Sequence, residues 1–182
     1  MRRPGTRRAL RQGVTSTIAI RRLRFLSWLC CLTAACDAES GHHTEPELAL
    51  GTGESHFETV EEGAILPLVA GSQGGHHVWL SMRMAGLDPS TTRMILDVVP
   101  APLAPPAHTD VSLHFDARAA ADDGLTHEFV GWPARVLRPE CAEGKPVTLS
   151  VQLTDGQGRK ASASLRVVAG EPDLPFRAAC AP

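Results

Sequence analysis

Four histidines could hold a metal ion if the fold brought them together: His76 and His77 at the start of an alternating apolar run, His114 within VSLHFD, and His127. Neutral imidazole suits copper and zinc, so these four form the candidate metal site. Their spacing matches no H-x-H, HExxH or cupredoxin-like pattern, and Met82 and Met84, an M-x-M pair, fall on the expected core face. Convergence would have to come entirely from the tertiary structure. No cofactor is otherwise expected.

A second constellation lies in GSQGGHHVWLSMRM, residues 71–84. On a strand, side chains alternate between faces, which sends Val78, Leu80, Met82 and Met84 into the core and His77, Trp79, Ser81 and Arg83 outward. An outward tryptophan beside a histidine and an arginine is the composition of a contact surface, so His77, Trp79 and Arg83 are the candidate binding residues. Gly74 and Gly75 need no ligand to explain them, since a turn or bulge at the head of the strand uses their backbone freedom. The stretch 100–108, with Pro100, Pro102, Pro105 and Pro106, is a stiff loop that would lose little entropy on binding and is a candidate second contact.

Catalytic chemistry finds no support. The chain has no G-x-S-x-G and no tyrosine, and no serine stands at a family spacing from His and Asp. Asp97, Asp110 and Asp116 read as solvated strand residues rather than a catalytic pair. No D-x-[DN]-x-[DN]-G run offers a calcium loop, and Asp122-Asp123-Gly124 reads as a turn. The expected role is therefore non-enzymatic.

The N-terminal 35 residues read as a signal peptide, with Arg21, Arg22 and Arg24 before an apolar run, residues 25–35, too short to span a membrane. Leu32-Thr33-Ala34-Ala35-Cys36 resembles the lipobox of bacterial lipoproteins, with threonine where that motif prefers leucine. The resemblance implies cleavage before Cys36, lipid attachment there, and a cell-envelope location with the membrane as a partner. Cys30 and Cys31 would leave with the leader, so Cys141 and Cys180 remain as an even pair in an oxidising compartment and are expected to form a disulfide. Removal of the leader leaves ten basic and twenty acidic residues, a formal charge of −10. That balance disfavours nucleic acid as a partner and leaves an envelope protein as the expected one.

Residues 36–47 are too polar to fold and suit a tether. From 48 to 170 the chain breaks into short runs of strand character, 56–60, 65–70, 77–84, 93–99, 111–116, 127–130, 134–137, 147–154 and 161–168, separated by Asp, Gly, Pro and Ser. Only 117–123 suits a helical turn. The reading is one all-β domain of roughly 120 residues, with 171–182 as a tail fixed by the disulfide. The alternation is clearest in PVTLSVQLTD, where Val147, Leu149, Val151 and Leu153 share a face, and in the return run of Ala161, Ala163, Leu165 and Val167. This hairpin resembles the last two strands of bacterial immunoglobulin-like and PKD-like domains, and the resemblance implies an immunoglobulin-like β-sandwich. Gln73, Gly74, Gly75, His77 and Trp79, after Gly51-Thr52-Gly53-Glu54, resemble a Q-G-G-x-H-x-W segment in a group of uncharacterised lipoproteins from myxobacteria-like bacteria. That likeness carries no activity with it.

Overall fold

The computed structural model describes residues 45–181 except 73, 102–103, 120–121 and 177–178. The leader, Cys36 and most of the tether lie outside the described residues. The remainder is all-β and sandwich-like: ten strands and one single-turn helix. No helix among the described residues is long and apolar enough to cross a membrane.

One layer is built on β4 (His76–Ala85), which pairs antiparallel with β8 (His127–Val136) along one edge. Along its other edge it takes β1 (Glu47–Thr52) and the end of β3 (Ile65–Ala70). The two-residue strands β2 (Glu58–Thr59) and β7 (Asp116–Ala117) extend this layer beside β1 and β8. The second layer runs β3, β10 (Lys160–Pro172), β9 (Pro146–Thr154), β5 (Thr92–Pro100) and β6 (Ala107–Leu113). β3 joins the layers: Ile65 and Leu66 pair parallel with β10, while Val69 and Ala70 pair antiparallel with β4.

The core lies between the layers. Val78, Leu80, Met82 and Met84 from β4 meet Met94, Leu96 and Val98 from β5, Val147, Leu149 and Leu153 from β9, and Val167 from β10, in one buried cluster. The alternation in β9 is borne out residue by residue, with each of its four apolar side chains buried. Burial of each such side chain contributes roughly 1.5–3 kcal/mol.

Four elements differ from the sequence reading. β1 is a strand where the tether was expected to end; Leu48 and Leu50 pack on the core, and ELALGT is too short for its alternation to stand out. β6 starts directly after Pro106, and Phe115 is a buried core residue beyond its end. Among its described residues 117–123 forms no helix; the single-turn α1 is Pro139–Ala142. Finally, β8 is one strand through Gly131-Trp132-Pro133, not two.

Candidate functional site

The continuity of β8 depends on a bulge. Leu80 faces Trp132 and Met82 faces Phe129, so Val130 and Gly131 together oppose Ser81. Gly131 has φ 75°, and a side chain there would press into the Glu54 carbonyl at 2.4 Å. The missing ladder bond is replaced by Ser81: its buried hydroxyl accepts from the Gly131 N–H at 3.1 Å and donates to the Gly53 carbonyl at 2.9 Å. Gly53 itself has φ 110°, and a Cβ would strike the His56 carbonyl at 1.9 Å, so residues 53–57 turn tightly over the outer face of β4. The Thr52 hydroxyl donates to the Trp79 carbonyl at 2.8 Å. That carbonyl points toward β1, which makes the opposed Trp79 and Pro133 a non-hydrogen-bonded pair with close side chains. The proline's missing N–H falls on the open edge of β8.

This cover divides the expected outward row. Ser81 is fully buried and His77 is only 8% exposed, so the row is not a free surface. Arg83 is occupied: its guanidinium lies 4.1 Å from the centre of the Phe57 ring and contacts Asp123 and Glu128, each at 3.3 Å. Arg118 joins the same two carboxylates at 2.9 and 3.7 Å. The Arg118 hydrogen bond holds the Asp123 carboxyl below its usual range, with backbone N–H of Leu125 and the Arg83 charge adding to it. Arg83 therefore ties Asp123 and Glu128 to the outer face of β4.

At the other end of β4 the polar groups are left open. A groove of about 640 Å³ is lined by His77, Trp79, Pro133, Arg135, Glu54 and the loop residues Gly71, Ser72, Gly74 and Gly75. Trp79 is half-buried on its floor, with the His77 ring set edge to face against it at 4.4 Å between centroids. Among the described residues neither Arg135 nor Glu54 makes an ion pair, and the buried Nε2 of His77 has no hydrogen-bond partner. Burial pushes the His77 pKa below the ordinary imidazole value and the neighbouring His76 adds to this, while Asp173 and Glu54 oppose it. The balance favours the uncharged imidazole. Sequence reasoning missed Arg135 and Glu54; the only signal was the place of Arg135 in the strand-like run 134–137, and the structure sets it opposite His77.

The C-terminal tail walls the far side of the loop. Asp173 accepts from the Ala70 N–H at 2.7 Å and donates its own N–H to Leu68 at 3.0 Å. His76 Nε2 bonds the Leu174 carbonyl at 3.2 Å, with Phe176 edge-on to its ring. Cys141 and Cys180 are disulfide-bonded as expected, closing a 39-residue separation that stabilises by about 4 kcal/mol in the chain-entropy view.

The four candidate metal ligands are not brought together. His76 faces Val136 and His127 faces Met84, at opposite ends of a ladder roughly 26 Å long at about 3.3 Å per residue. His114 is exposed in the β6–β7 connection. Among the described residues no three His, Cys, Asp or Glu side chains are grouped to hold a metal ion. The proline-rich connection 101–106 belongs to the other layer, and none of its described residues lines the groove. A hollow of about 400 Å³ on the outer face of that layer is floored by Ile95, Asp97, Ser150, Gln152, Ser162 and Ser164. Two pairs of its polar groups bond each other, Ser150 with Ser164 at 3.2 Å and Asp97 with His108 at 2.7 Å. The chain matches no protein-family model, and no curated protein or solved structure is detectably similar to it.

Proposed function

We propose that this chain is a non-enzymatic binding module of the cell envelope, an immunoglobulin-like sandwich carried on a lipid at Cys36, and that it engages its partner through the groove at the His76 end of β4. The observation that carries the reading is the set of unpaired groups around one concavity: Trp79, Arg135, Glu54 and the unpartnered His77 nitrogen. The buried His77 nitrogen would normally find a partner within the fold, the exposed Arg135 and Glu54 add charges of both signs to the same lining, and a concavity with an aromatic floor and convergent polar groups is the usual form of a ligand site. The envelope location rests on the signal-like leader and Cys36, and a disulfide suits an oxidising compartment.

Co-sedimentation of the purified protein, unlipidated through Cys36→Ser, with isolated cell envelopes tests the groove. Trp79→Ala is expected to leave the thermal midpoint within a few degrees of wild type while lowering bound protein at least tenfold; retained binding would remove the groove from the account. Cys36→Ser is expected to move the protein from the membrane to the soluble fraction, and unchanged fractionation would sink the lipid anchor.

A further inference from the structure

We infer that the groove binds a neutral saccharide segment, with Trp79 as the platform for a sugar ring; the inference rests on the groove being the contact site. Three features of the lining select this ligand class. The first is charge. Arg135 offers only donors and Glu54 only acceptors, and burial favours the uncharged form of His77. An anion would meet Glu54 and a cation would meet Arg135, whereas a polyol presents hydroxyls that both donate and accept and can satisfy the two at once. The second is the floor. The Thr52 bond to its carbonyl fixes the Trp79 backbone, and His77 and Pro133 flank the half-buried indole, so its remaining accessible surface is an apolar patch that a sugar's C–H groups can cover with little loss of side-chain entropy.

The third is the backbone. A peptide that binds by strand addition needs an unpaired strand edge, but β4 is bonded on both sides, to β8 along one edge and to β3 and β1 along the other. The open edge of β8 at the groove carries Pro133, which has no N–H to give. Recognition is left to side chains and to the rim. There the loop contributes Gly74 and Gly75, and a Cβ at Gly74 would meet nothing within 4 Å, so a broad ligand approaches the backbone without obstruction.

The test uses the full chain and four probes, the tetrasaccharides of glucose, mannose, galactose and N-acetylglucosamine, followed by the indole N–H resonances. Trp79, assigned by its loss in Trp79→Ala, reports the groove, and Trp132, half-buried with its Nε1 covered, is an internal control beside the third tryptophan, Trp28. The expected result is a saturable shift of the Trp79 signal with at least one tetrasaccharide, no shift of Trp132, and at least tenfold weaker binding in both Arg135→Gln and Glu54→Gln. Absence of any shift with all four probes overturns the saccharide assignment. A proline-rich peptide that shifts Trp79 and loses affinity in Arg135→Gln would overturn it too while leaving the groove in place. Envelope binding that survives both Trp79→Ala and Arg135→Gln would instead remove the groove.

Discussion

The two ends of the β4–β8 ladder treat their polar residues in opposite ways. At the His127 end, Arg83, Arg118, Asp123 and Glu128 form four contacts of 2.9–3.7 Å, and Phe57 covers one face of Arg83. At the His76 end, Arg135, Glu54 and His77 surround a groove and make no ion pair among the described residues. The difference separates charge that serves the fold from charge that remains for a ligand. A guanidinium with two carboxylates and a ring in contact has little left to offer a partner. One at the wall of an aromatic groove retains its donors.

The comparison can be broken most forcefully at its midpoint. Ser81 ties the bulge of β8 to the segment that carries Glu54 into the groove. Ser81→Val leaves the Gly131 N–H and the Gly53 carbonyl without that partner and is expected to cost about 3 kcal/mol. Denaturant unfolding measures that cost, and a change below about 1 kcal/mol would mean that residues 53–57 are held by other contacts.

A smaller effect sharpens the open end. The pKa of His77 is held below that of the unfolded chain, chiefly by burial. As pH falls, the unfolded state therefore takes up the proton first. This contribution to stability is fully present above about pH 6.5, the ordinary histidine value, and is lost as pH drops below it. His77→Gln is expected to flatten the stability profile between pH 7 and pH 5. An unchanged slope would place the titration elsewhere, and would weaken the case for a neutral imidazole beside Trp79.

Much of the scaffold was legible in the sequence, because β5, β9 and the first part of β10 keep a two-residue alternation with turn residues at their ends. The same alternation placed Val78, Leu80, Met82 and Met84 in the core. It could not show what covers the other face of β4. Residues 53–57 fold back over that face through Gly53 and Ser81, a contact between positions 28 apart in sequence. For the same reason Arg83 looked free: its partners Asp123 and Glu128 are 40 and 45 residues away. Gly131 and Pro133 looked like a break because each ordinarily ends a strand, yet a bulge and an open edge accommodate both. His77 and Trp79 were found by type and position, while Arg135 enters the site only through its pairing with His77.

The most direct test of the account compares two arginines in one fold by equilibrium unfolding. Arg83→Gln is expected to lower stability by about 1–2 kcal/mol through loss of the Phe57 stack and the carboxylate network. Arg135→Gln is expected to stay within about 0.5 kcal/mol of wild type, as a side chain outside the folding contacts should. Equal losses at the two positions would contradict the account, because Arg135 would then be part of the fold rather than of a site kept open for a ligand.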